Sequence, residues 1–173
     1  MTSLHVLKQF YAAEVAVAAN LKTSSLIAAF SQVPREDFLG PGRWRIAVSD
    51  PTRPGAMTYV MTRDADPRHL YHDVAIAIDP SRELNNGHPS SLASWLDALD
   101  LRAGDVFVHV GCSVGYYTAI AAQAVGTTGR VFAVEIDAEL AQKAKVNLRK
   151  ESQVTVAEGD GAALVIPQFD APR

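Results

Sequence analysis

The stretch VHVGCSVGYYTA, residues 108–119, decides how this chain is read. An apolar run from Val106 to Val110 breaks into two glycines, Gly111 and Gly115, and then gives way to small and apolar residues at helical spacing. Glycine lets a backbone turn sharply and come close to a ligand. A helix that begins straight after such a turn offers unpaired N–H groups and the positive end of its dipole. The pattern predicts a strand, a tight bend able to cradle a ligand, and a helix starting at Tyr117. A plainer reading gives the two glycines only a packing role between strand and helix.

Outward from the bend the pattern stays regular. A helix is predicted over 91–99, the strand over 106–110, a helix over 117–125, a strand over 130–135, a helix over 138–149 and a strand over 154–158. Strands alternating with helices make right-handed βαβ units on a parallel sheet. The expected class is therefore α/β, a three-layer Rossmann-like core with strand order 3-2-1, and the glycine bend falls at a strand tip.

Two further strand tips carry polar groups. Glu135 lies about twenty residues beyond Gly115, where a carboxylate can accept both hydroxyls of a ribose. Such charged hydrogen bonds are worth roughly 1.5–3 kcal/mol each. Asp160, between Gly159 and Gly161, is placed to meet an adenine edge. Candidate cofactor residues are Gly111, Cys112, Ser113, Val114, Gly115, Glu135, its neighbour Ile136, Asp160 and Gly161. Read plainly, Glu135 is a solvated strand end and Cys112 a small buried residue. The glycine spacing separates two cofactor classes. A dinucleotide wants G-x-G-x-x-G so that its pyrophosphate can sit on the helix N-terminus, and GCSVG lacks that spacing. S-adenosylmethionine has no phosphate and needs only a close backbone, which favours it here.

The N-terminal part is of another kind. Apolar residues at helical spacing predict a helix over 4–19, and Thr23-Ser24-Ser25 opens a second helix that runs to Phe30 and stops before Pro34. Glycines and prolines punctuate residues 40–68 around two strand-like pieces, 44–48 and 57–61, expected to form a hairpin or irregular arm. Residues 72–79 read as a further strand, followed by the polar segment PSRELNNGHPSS. The division expected is an N-terminal helical and β-arm segment, 1–90, and a cofactor-binding Rossmann-like half, 91–173.

Composition limits the partners. The 173 residues carry 16 Lys and Arg against 19 Asp and Glu, a net charge of -3, with no basic stripe to neutralise phosphates, so nucleic acid is not expected. No apolar run reaches the length of a membrane span. The single cysteine, Cys112, forms no intramolecular disulfide, which suits a reducing compartment and a cytoplasmic protein. His69 and His72 stand without cysteines or a second acidic cluster at metal spacing, so no metal is expected. Trp44, Trp95 and the Tyr116-Tyr117 pair read as packing residues.

At this point a resemblance becomes specific. AAFSQVPREDFLGPGRW, LYHDVAIAI, VGCSVGYYTAIAAQAVG, VFAVEID and EGDG follow in an order similar to the protein-L-isoaspartate O-methyltransferase family. The resemblance implies an S-adenosylmethionine-dependent enzyme that methylates a carboxylate. It implies that residues 111–115 contact the methionine portion of the cofactor, Glu135 the ribose, and Asp160 with Gly161 the adenine. It also exposes departures. His109 stands where the family has an acid for the cofactor's ammonium group, and a charged histidine would repel that group. His109 on an apolar strand otherwise reads as a core histidine with a hydrogen-bonded partner. Gly87, in NNGHPSS, stands where the family has an active-site serine, and the 41–68 stretch is longer than in the plain family.

These departures leave the acceptor open. A carboxylate is already ionised at neutral pH and needs no base, only positioning, whereas a hydroxyl needs a base. Asn86 and His88, with neighbouring Asn85, are the catalytic candidates, because their segment is expected to face the methyl site; His88 read plainly is a turn residue. Two alternatives stay beside the carboxyl methyltransferase: a small-molecule O-methyltransferase, and a non-catalytic module that binds a nucleoside or a partner. Methyltransferases of this class continue for four more strands, so IPQFDAPR is expected to end where the fourth would begin. The core would then be incomplete, with the flank of strand 106–110 open unless the N-terminal arm or a second copy, as a homodimer, covers it.

Overall fold

The computed structural model describes residues 3–163. Helix α1 (Leu4–Ala18) starts at Ser3, whose hydroxyl accepts the Val6 N–H, and buries Tyr11, Ala12 and Val15. Helix α2 (Ser24–Gln32) begins after Thr23. There the Asp97 carboxylate, from a distant helix, accepts the N–H groups of Lys22 and Thr23 at 3.0 and 2.9 Å. Pro34 biases Val33 to extended backbone, which ends α2 and leads to a 3-10 turn at Arg35–Phe38.

Residues 40–62 form a true hairpin: β1 (Arg45–Ser49) pairs antiparallel with β2 (Met57–Met61), Ala47 opposite Tyr59. The strand expected over 72–79 is reduced to β3 (Ala77–Asp79), paired with the two-residue β4 (Leu84–Asn85). The reason lies in Arg35, which is fully buried. Its guanidinium donates to the carbonyls of Leu70, His72 and Val74, the last two at 3.0 and 2.7 Å. Residues 70–74 wrap this cation, and the carbonyls of Leu70, His72 and Val74 are drawn to it instead of to a ladder. The charge also lies 5.5 and 5.8 Å from the ring centres of Tyr11 and Tyr116.

The C-terminal part is close to its expected pattern. Helix α3 (Pro89–Ala98) begins two residues early, with Pro89 in the first turn where a missing N–H costs nothing. Then come β5 (Val106–Val110), α4 (Tyr116–Val125), β6 (Arg130–Glu135), α5 (Ala138–Asn147) and β7 (Val154–Glu158). The three strands form a parallel sheet ordered β5-β6-β7, with Val108 beside Phe132 and Ala133 beside Val156. This is an α/β, Rossmann-like core carrying a helical and hairpin N-terminal segment.

Helix α4 is the centre of the molecule. Apart from Gln123 every one of its residues is buried, and its alanines at 119, 121, 122 and 124 let it sit closely between the sheet and α2. Leu26, Phe30, Ile120 and Val131, each at most 1% exposed, join the two parts in one core. Each such side chain contributes roughly 1.5–3 kcal/mol. Among the described residues the outer edge of β5 pairs with no strand, and Val106 and Val110 are exposed on it. The expected start of a fourth strand near Ile166 lies outside the described residues. No described helix is long and apolar enough to cross a membrane.

Candidate functional site

The bend after β5 is held in place by β6. Gly111 and Cys112 both donate their N–H groups to the Val134 carbonyl, at 2.8 and 3.0 Å. Ser113 donates to the Glu135 carboxylate at 2.7 Å, and Gly115 closes the turn on the Cys112 carbonyl at 2.9 Å. Gly111, Ser113 and Gly115 have φ of +74°, +51° and +93°, the left-handed region in which glycine is unstrained. A side chain at Gly111 would meet open space, so the bend presents bare backbone outward; one at Gly115 would come within 2.7 Å of Leu148 Cδ1.

Glu135, at the tip of β6, is only 6% exposed. One carboxylate oxygen takes the Ser113 N–H; the other takes the Asp137 N–H at 3.1 Å. Asp137 caps α5 through the N–H groups of Glu139 and Leu140 and is paired with Arg82. Beside it Ile136 is 72% exposed, and Val110 at the tip of β5 is 58% exposed, which leaves an apolar ledge at the strand ends. Asp160 turns its carboxylate to the Ala162 N–H at 2.9 Å. Gly161 lies so close to Val110 that a Cβ would sit 2.2 Å from its Cγ1. The tips of β5, β6 and β7 therefore converge, bringing together the cofactor residues read from the sequence.

A cavity of about 170 Å³ opens beside the bend, walled by Asn85, Gly87, His109, Gly111, Cys112 and Tyr117 among others. His109 Nδ1 is 2.8 Å from the Thr118 hydroxyl, so this histidine has the hydrogen-bonded partner expected of a core residue. Burial pushes its pKa down, with the Glu135 charge opposing, and the ring stays neutral near pH 7. Burial, reinforced by Glu135, pushes the Cys112 thiol up to about 12, which rules it out as a thiolate nucleophile. Tyr117 ties the cavity wall together by donating its hydroxyl to the Gly87 carbonyl at 3.3 Å.

The two catalytic candidates are placed differently from one another. Asn86 borders the cavity, but its side-chain oxygen accepts the Ile76 N–H at 2.8 Å while its backbone N–H donates back to the Ile76 carbonyl at 2.9 Å. It acts as a strand-like clamp on the chain. His88 is not part of the cavity wall. Its ring sits 3.1 Å from Asp73 and 3.3 Å from the Ser90 hydroxyl, at the start of α3. Helix initiation draws it away: Asp73 accepts the Ser90 N–H at 2.8 Å, and the histidine joins that cap. Sequence reading missed Thr118 and Asp137. The helix-cap signature of Asp137 before AEL was available, whereas nothing local marks Thr118 as the partner of His109.

A parallel sheet with a left-handed glycine bend at one strand tip and a buried acid at the next defines a Rossmann-like protein of the methyltransferase kind. A family model described as protein-L-isoaspartate(D-aspartate) O-methyltransferase matches residues 56–168. The chain belongs to this family. It is similar to the protein-L-isoaspartate O-methyltransferase of Methanococcus aeolicus, 36% identical over 108 residues, covering 55% of this chain and 49% of the relative. It is also similar to that of Methanothrix thermoacetophila, 31% identical over 144 residues, covering 82% and 57%. A solved protein-L-isoaspartate O-methyltransferase superposes with a TM-score of 0.65 at 21% identity, over 87% of this chain and 42% of that one. A Plasmodium falciparum relative solved with S-adenosyl-L-homocysteine gives 0.61 at 14% identity, over 90% and 64%. At those identities the structures speak for the fold alone. The chain spans about half the length of the curated relatives it matches.

Proposed function

We propose that this chain binds S-adenosylmethionine at the tips of β5, β6 and β7 and serves methyl transfer to a carboxylate on a peptide or small molecule. The observation that carries this reading is the Glu135 carboxylate, drawn to the left-handed bend by the Ser113 N–H at 2.7 Å. The residues present fit the cofactor: bare backbone at Gly111, a buried acid for the ribose hydroxyls, and an exposed apolar ledge for the adenine. When bound, the cofactor supplies an electrophilic methyl group on a sulfonium.

The chain's own residues bind and orient. Gly111 to Gly115 lie along the methionine portion, Glu135 accepts from the ribose, Ile136 packs on the adenine, and Asp160 with Gly161 meets its edge. A neutral His109 brings no positive charge to the amino end of the cofactor, which answers the repulsion expected of a charged histidine. The acceptor side falls to residues 1–90, with Asn86 holding the cavity wall. The Cys112 thiol is protonated and His88 lies outside the cavity, so the neutral His109, with its Nδ1 engaged by Thr118, is the one imidazole on the wall. A carboxylate acceptor is already ionised and asks no proton transfer of it, and in-line positioning then contributes roughly 7–11 kcal/mol to the barrier reduction. The lone protonated thiol suits a reducing compartment such as the cytoplasm. The edge of β5, unpaired among the described residues, suits pairing with another strand, from this polypeptide or a second copy.

The test is calorimetric titration with S-adenosylhomocysteine, followed by transfer of a tritiated methyl group to an isoaspartyl peptide and to simple carboxylates. Saturable binding with transfer supports the proposal. Binding without transfer to any carboxylate selects a non-catalytic nucleoside-binding module. Absence of binding removes both.

A further inference from the structure

The hairpin of β3 and β4 reaches across the molecule to the candidate site. Its turn carries Arg82, whose Nη2 lies 2.6 Å from Asp137 Oδ2. Among the described residues this is the one ion pair that joins the segment before residue 90 to the βαβ series. Asp137 in turn gives its N–H to Glu135, and Glu135 holds the Ser113 N–H of the bend. One chain of contacts thus runs from the hairpin turn, through the cap of α5 and the proposed ribose acid, to the glycine bend.

The hairpin is short, though Ile78 and Leu84 pack on the core and Asn86 is bonded to Ile76 at its base. β4 is two residues long and pairs irregularly with β3, and Glu83 turns the chain with a φ of +55°. At its far end Asn85 donates to the Tyr59 hydroxyl at 3.2 Å. Arg82 is half exposed and Asp137 much less so, which leaves the pair reachable by salt. The Asp137 carboxyl lies below the usual carboxylate range, because the Leu140 N–H and then Arg82 favour its ionised form.

We infer that Arg82 is a positioning residue that, through its ion pair with Asp137, steadies the Glu135 carboxylate against the bend and slows release of the bound cofactor; this rests on the S-adenosylmethionine reading above. Keeping the pair pins Asp137, and through its N–H the Glu135 carboxylate; losing it loosens both. Because the pair is partly exposed, its effect is a modest kinetic one, about two- to fivefold. Asp137 is a poor target for substitution, since it also caps α5.

The experiment uses the whole chain, Arg82→Met, and Arg82→Lys. Tritiated S-adenosylhomocysteine is bound, then chased with unlabelled compound at ionic strengths from about 50 to 500 mM, a range over which charge pairs are progressively screened. The expected result is release about two- to fivefold faster from Arg82→Met. Arg82→Lys should recover most of the difference, and release should quicken with salt in the wild type but not in Arg82→Met. Equal release rates and salt responses in wild type and Arg82→Met overturn this role. So does a faster release that Arg82→Lys fails to restore and that salt does not mimic, since that marks a packing effect. Failure of the wild type to bind S-adenosylhomocysteine overturns the cofactor reading itself, a result distinct from either.

Discussion

Replacing Glu135 by Gln separates a structural staple from a ligand-binding acid. The wild-type carboxylate is 6% exposed and accepts two backbone N–H groups, at 2.7 and 3.1 Å. A carboxamide has one oxygen, so whichever way it turns, either Ser113 or Asp137 faces an NH2 group instead of an acceptor. A buried donor left unpaired costs about 1–3 kcal/mol. For a chain of this size that lowers Tm by roughly 2–12 °C, at 2–4 °C per kcal/mol. On the proposed ribose role, the hydroxyls lose a charged acceptor worth roughly 1.5–3 kcal/mol, so the Kd for S-adenosylhomocysteine should rise about tenfold to a hundredfold. The assays are thermal melting and isothermal titration on the same preparation. A lowered Tm with unchanged Kd refutes the ribose role and leaves Glu135 a staple; unchanged values of both refute the reasoning from the structure altogether.

Three further outcomes are expected. Gly115→Ala forces a side chain into a φ of +93° and against Leu148, and should cost about 1–3 kcal/mol in denaturant unfolding with the slope unchanged. Arg35→Met leaves the carbonyls of Leu70, His72 and Val74 without their donor, the first of them buried, and should lower stability by about 1–3 kcal/mol, read by the same titration. His109 gives a pH signature. Burial holds its folded pKa below the unfolded 6.5, so between those two values the unfolded chain binds more protons and stability rises with pH. Wild type should therefore lose stability as pH falls below about 6.5, and His109→Gln should lose less over that window; parallel pH profiles would contradict the placement of His109.

The βαβ series was legible because its signals are local. Strand runs, the glycine break and the acid at the next strand tip each sit within a few residues, and β5, β6 and β7 fall where periodicity put them. Helices α4 and α5 differ from expectation by one or two residues at their ends. The convergence of Gly111, Glu135 and Gly161 was legible too, because parallel strands of like direction must bring their tips to one side. What was not legible depends on long-range pairing. The strand expected from His72 is lost to Arg35, a residue far earlier in the sequence, and no local pattern in LYHDVAIAI reveals that its carbonyls are taken. Asn86 and His88 share a polar turn, and only the fold shows one clamped to Ile76 and the other drawn to Asp73. The ion pair of Arg82 with Asp137 likewise joins two segments whose sequences carry no mutual signal.

The central claim is that three strand tips form one adenosyl-binding surface. Amide shift mapping of the isotopically labelled chain during titration with S-adenosylhomocysteine tests it most directly. Saturable shifts should concentrate at Gly111 to Gly115, Ile136 and Gly161, with α1 and the β1–β2 hairpin little changed. Saturable shifts centred elsewhere, or none at millimolar ligand on the order of the weakest specific affinities, would contradict it.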